Sequence, residues 1–124
     1  MKENSFTSRD IIELKEHNLY RDNYTVKDAL KKIEYKTELY NSSLELRGEL
    51  LSVDSQILKI HERDGNEAEA KTCRENMKEN NEIIKESVYQ IDLLKRVSNF
   101  IKGFPGDMNI HSIEFNKGVY NVIK

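Results

Sequence analysis

Two stripes of apolar residues run in mirror order about the turn Asp64-Gly65-Asn66, and this symmetry constrains the fold more than any other feature. Upstream the stripe reads Val26, Leu30, Ile33, Thr37, Tyr40, Ser43, Leu46, Leu50, Val53, Ile57 and Ile60. Downstream it reads Ala70, Cys73, Met77, Asn80, Ile84, Val88, Ile91, Leu94, Val97, Ile101 and Phe104. Steps of three and four place each stripe on one helical face. Paired outward from the turn, 57 with 73 or 53 with 77, the residue numbers add to 130 or 131 nearly throughout. A constant sum is what two antiparallel helices zipped together would show. The expected fold is mainly α: a long two-helix coiled-coil hairpin with a short N-terminal helix and a small C-terminal β-hairpin at its base.

Local signals set the boundaries within a single domain, 1–124. Thr7-Ser8-Arg9-Asp10 reads as a capping box opening a short helix over 7–18, and Thr25-Val26-Lys27-Asp28 as a second opening a helix over 25–62. The reverse helix is expected over 67–102, stopped by Gly103-Phe104-Pro105-Gly106. Gly48 lies inside the first long helix, and two consecutive steps of three at Tyr40-Ser43-Leu46 read as a stammer. Beyond these, His111, Ile113 and Phe115 alternate with polar residues. With Asn116-Lys117-Gly118 and the apolar run that follows, they predict a β-hairpin over 110–123. Residues 88–104 are apolar on two faces, since Leu93, Val97, Phe100 and Phe104 point aside from the seam. That second face calls for a second partner, the short helix and the β-hairpin. The expectation is therefore a small globular base carrying a projecting arm.

Composition excludes more than it assigns. A net charge of −2 is not that of a strongly basic nucleic-acid binder. The single cysteine, Cys73, rules out an internal disulfide framework and a multi-Cys zinc site. No apolar run is long enough to span a bilayer and no signal-peptide core follows Met1, which predicts a cytoplasmic protein without a membrane partner, in a host cell if the gene is viral. Heavy use of Lys (14), Ile (12) and Asn (12) against six Arg fits an AT-rich genome, such as that of a low-GC bacterium, its phage or an AT-rich eukaryotic virus.

No phosphate-binding loop, HExxH, CxxC, EF-hand loop or GxSxG is present, and His17, His61 and His111 fall on different elements. No catalytic residue, metal ligand or cofactor is predicted. Cys73 reads as a small buried hydrophobe opposite Ile57, and Asn80 as a polar register residue opposite Leu50.

Two surfaces remain as candidates. The tip carries Glu62, Asp64, Glu67 and Glu69, within a stretch, 45–86, of eleven acidic and seven basic residues. Transcript-cleavage factors of the Gre type present tip carboxylates to a polymerase's catalytic magnesium on such a stalk. The chain is similar to them in joining a helical hairpin and acidic tip to a small β-containing part, and it does not reproduce their tip motif. The bland account is that acidic residues favour a helix N-terminus and keep the hairpin end soluble. The second surface is the base, with Tyr20, Tyr24, Lys31, Lys95, Arg96, Phe104, Phe115 and Tyr120 as candidate partner-binding residues. The bland account there is that its aromatics are core.

The expectation for function is a non-enzymatic protein–protein interaction module. A small regulator or inhibitor docking on a macromolecular partner, from a phage or mobile element, suits its size and composition. The alternative is a dimeric nucleic-acid-binding regulator using basic residues Lys27, Lys31, Lys32, Lys36, Lys95, Arg96 and Lys102, diluted by acidic neighbours. Thr37, Ser43 and Asn80 weaken the seam, so a homodimer closing into a four-helix bundle is as compatible with it as a lone hairpin.

Overall fold

The computed structural model describes residues 6–19 and 23–110. Three helices follow in order: α1 (Ser8–His17), α2 (Val26–Asp64) and α3 (Glu67–Ile101). The described part of the chain is mainly helical and contains no strand. The β-hairpin expected over 110–123 lies outside the described residues except for Ile110.

Both capping boxes form. Asp10 N–H donates to Thr7 Oγ1 at 3.1 Å and Thr7 N–H donates back to Asp10 Oδ2 at 3.0 Å. Asn18 closes α1 in the left-handed region, φ 54, with its N–H on Lys15 O. At the start of α2, Asp28 N–H donates to Thr25 Oγ1 at 3.2 Å, and Thr25 N–H to Asp28 Oδ2 at 3.0 Å. The first two amides of that helix find acceptors in the segment after α3. Val26 N–H meets Met108 O at 2.9 Å and Lys27 N–H meets Gly106 O at 3.0 Å. Ala29 N–H takes Thr25 O at 3.0 Å, so every orphan donor of this helix start is satisfied. Gly65, at φ 75, makes the turn between α2 and α3.

The chain divides into two compact units, Met1–Thr37 with Asp92–Lys124, and Glu38–Ile91. Among the described residues, the first unit holds all the large side chains that are fully buried: Phe6, Leu14, Leu19, Val26, Leu93, Leu94, Val97, Ile101 and Ile110. Leu93 and Val97 are buried along with Leu94 and Ile101, so this end of α3 is covered on two faces, as its sequence implies.

The second unit is a helical hairpin with a thin seam. Its buried apolar residues are Ala70 and Cys73 alone, beside buried Asn80, Ser87 and Gln90. The α2 side of the seam is half-buried Tyr40, Leu44, Arg47, Leu51, Asp54, Leu58 and His61. These positions step by four and three without interruption, so the stammer expected at Tyr40-Ser43-Leu46 does not occur. Arg47 Nη1 donates to Asn80 Oδ1 at 2.9 Å, and Cys73 Sγ lies 3.7 Å from Asp54 O. Both pairs, 47 with 80 and 54 with 73, add to 127 rather than 130 or 131.

This corrects the register read from the sequence. The path through Leu46, Leu50, Val53, Ile57 and Ile60 does not face α3, and Cys73 and Asn80 do not oppose Ile57 and Leu50. On α3, Val88 is exposed and Ser87 is buried in its place. The physical reason lies in what α3 offers. Ala70, Cys73, Asn80 and Ser87 are small or polar and alternate with half-buried Met77, Ile84 and Ile91, a mixed face that takes the mixed line of Leu44, Leu51 and Leu58 with a hydrogen-bonding Arg47. The true seam sits one residue, about 100°, around α2 from the more apolar line.

Candidate functional site

Seven positions of α2 form a heptad line, Leu39, Ser43, Leu46, Leu50, Val53, Ile57 and Ile60, of which α3 leaves all but half-buried Ser43 exposed. The six apolar members are between 38 % and 53 % exposed. Their steps of four and three place them on one face. The line is about 32 Å long by the helical rise and, at a helix width of about 10 Å, covers on the order of 300 Å². Contiguous apolar patches of a few hundred Å² mark interaction sites on soluble proteins. Isolated exposed leucines carry no such meaning, but heptad spacing over three repeats is the pattern by which one helix interdigitates with another.

Residues flanking the line are polar. Ser42, Glu49 and Gln56 border one side, Arg47 and Asp54 the other. Arg47 is half-buried, and its Nε is buried with no hydrogen-bond partner. A buried donor without an acceptor costs about 1–3 kcal/mol, so the middle of the hairpin is imperfectly satisfied beside the apolar line.

The residues nominated from the sequence fall into three groups. Arg96 is largely committed within the first unit. Its Nη1 donates to Asp10 Oδ2 at 3.2 Å, its Nε to Asp92 Oδ2 at 3.0 Å, and its guanidinium lies 5.3 Å from the Phe6 ring centroid. Burial alone would lower the pKa of Arg96, but the hydrogen bonds to and charges of Asp10 and Asp92 hold it above the ordinary arginine value. Phe104 is half-buried, edge-to-face on Phe100 at 5.6 Å. Tyr24 is half-buried beneath Lys32 Nζ at 5.6 Å. Lys31 and Lys95 are exposed on the same unit. Tyr20, Phe115 and Tyr120 lie outside the described residues.

The acidic tip is partly neutralised. Arg74 Nη2 stands 3.3 Å from Glu62 Oε2, and Arg63 Nε stands 3.1 Å from Asp64 Oδ1. Glu67 and Glu69 are exposed in the first turn of α3, where the helix dipole favours them. Among the described residues no group of three or more His, Cys, Asp or Glu is placed to hold a metal ion. Nor is any helix among them long and apolar enough to cross a membrane.

Of the seven basic residues near one another in the sequence reading, three are engaged. Lys32 Nζ donates to Asn18 O at 2.9 Å, and Lys36 Nζ contacts His17 Nδ1 at 3.3 Å, where burial and then Lys32 lower the Lys36 pKa. Arg96 is the third.

The exposed line was visible in the sequence as an apolar stripe. Its exposure was not, because the same residues could have served as the hairpin's own seam. No protein-family model matches the chain, and no match is found among curated proteins or solved structures.

Proposed function

We propose that the chain is a non-enzymatic protein–protein interaction module that works by helix-on-helix pairing along the Leu39–Ile60 face of α2. The observation that carries this reading is the exposure of six apolar side chains at heptad spacing, on a helix whose other seam is already occupied. Burying a side chain of this kind contributes about 1.5–3 kcal/mol when complete, so six half-exposed ones offer on the order of 5–9 kcal/mol to a partner helix. That surface outranks the two read from the sequence. The tip carboxylates are partly paired, and Arg96 and Phe104 are tied into their own unit.

The absence of a recognisable catalytic motif in this sequence fits a regulator or inhibitor, of the sort a phage or mobile element carries. The alternative, a nucleic-acid-binding regulator, draws less support because Lys32, Lys36 and Arg96 already have protein partners. A salt titration with generic DNA and RNA separates it, since phosphate contacts weaken steeply as salt rises.

The direct test is site-specific photo-crosslinking in the native cell, with benzoylphenylalanine at Val53 or at Glu67. Protein adducts at Val53 and few at Glu67 are expected. A folded protein that yields no adduct at Val53, or adducts only at Glu67, overturns the assignment of the face.

A further inference from the structure

We propose that the Leu39–Ile60 face is covered by the same face of a second copy of this chain, with the two α2 helices antiparallel. This rests on the helix-pairing reading above and names its partner. The line is self-complementary in that orientation. A two-fold axis near its centre sets Leu46 against Ile57, Leu50 against Val53, and Ser43 against Ile60 of the second copy, then repeats each contact in reverse. Ser43 is thus the single polar member and sits at both ends of the six layers, where a small hydroxyl is hydrated most readily; Leu39, whose place faces Asp64 of the second copy, falls outside the six layers.

Charge selects the orientation. In an antiparallel pair the flanking positions that meet are Arg47 with Asp54 of the second copy, twice, and Glu49 with Gln56, twice. In a parallel, in-register pair Glu49 would meet Asp54 of the second copy, two acid–acid contacts per dimer. Opposite charges therefore meet in the first arrangement and like charges in the second. Arg47 and Asp54 are each half-buried, so both keep a side turned to solvent within their own hairpin. The Asp54 carboxylate of the second copy then faces an arginine whose Nη1 already donates to Asn80 within its own hairpin. A heterologous helix would satisfy the apolar line equally, but would bring that carboxylate only by coincidence of sequence.

Sedimentation equilibrium of the full chain is the first measurement. A particle of twice 14.6 kDa is expected. Val53→Glu should weaken the dimer at least about 100-fold while the far-ultraviolet helical signal stays at the level of the parent chain, since the residue is 52 % exposed in the single copy. The second measurement fixes orientation without altering charge. In a Cys73→Ser background, Leu46→Cys mixed with Ile57→Cys should form an intermolecular disulfide, and neither variant should do so alone. Ready homodimeric linking of Leu46→Cys would overturn the antiparallel arrangement. A folded monomer would overturn the second copy as occupant. If that monomer's Val53 photo-adduct in the cell is a different protein, the helix-pairing reading survives. If there is no adduct at all, both fall.

Discussion

The seam register can be tested by a single introduced cysteine. Cys73 Sγ lies 3.7 Å from the backbone oxygen of Asp54, nineteen residues away in sequence. Asp54→Cys therefore brings a thiol to the native one across the α2–α3 seam of one molecule. Closing a loop of that size removes chain entropy from the unfolded state worth about 3 kcal/mol. Spread over a chain of this length, that raises the melting temperature by about 10 °C. Mild oxidation should leave the product monomeric on a reducing-agent-free denaturing gel, with no titratable thiol and an intact mass lower by two hydrogens. Ile57→Cys is the control, because the apolar line would place it opposite Cys73. Its side chain is on the uncovered face, so it should keep both thiols under the same oxidation. The corrected register is wrong if Ile57→Cys closes within one chain while Asp54→Cys stays open.

Three further outcomes are expected. Leu94→Ala empties a fully buried site and should cost about 2–5 kcal/mol in urea denaturation, whereas half-buried Met77→Ala should cost less; the reverse ranking would place the principal core in the Glu38–Ile91 hairpin. Arg96→Met strands the Asp10 carboxylate, only 4 % exposed, and should cost about 3 kcal/mol, with Asp10→Asn in the same chain recovering part of it; purely additive losses would show that the pair is not coupled. The Thr25 backbone bond, then its hydroxyl, hold the Asp28 carboxyl below its ordinary value of 3.8. That cap stabilises the fold above 3.8 and is lost as pH falls through the lowered value, so the stability gap between the parent and Asp28→Asn should be widest near neutrality and shrink in acid, as read by denaturation across pH.

Helix boundaries were legible because their chemistry is local. Thr7 with Asp10, Thr25 with Asp28, and Gly65 at the turn each act within a few residues, and each marks an end where the structure has one. The seam was harder. Two heptad lines run along α2 one residue apart, and their composition differs: Leu46, Leu50, Val53, Ile57 on one, Leu44, Arg47, Leu51, Asp54 on the other. Ranking by hydrophobicity selects the first. Selection by α3 depends on a face in which small or polar Ala70, Cys73, Asn80 and Ser87 alternate with Met77, Ile84 and Ile91, which matters only once the partner face is known. The place of Arg96 in the core was illegible for a related reason. Its partner Asp10 lies eighty-six residues away, and no local pattern joins them.

The two-residue turn at Gly65 also bears on the order in which the chain gains structure. Contacts between α2 and α3 beside this turn join residues close in sequence, so closing them requires little loop entropy, and each layer shortens the loop left for the next. The Asp10–Arg96 contact has the opposite character. Closed directly from the extended chain it would confine the eighty-odd residues between its ends. Closed after the hairpin has zipped, it confines only α1 and the short connection to α2. The expected sequence of events starts at the turn and ends at the core. Gly65→Val, strained at a φ of 75, should therefore slow refolding by more than it speeds unfolding. The hairpin, although it contains little core of its own, is then the part of the molecule that brings the two halves of the core within reach.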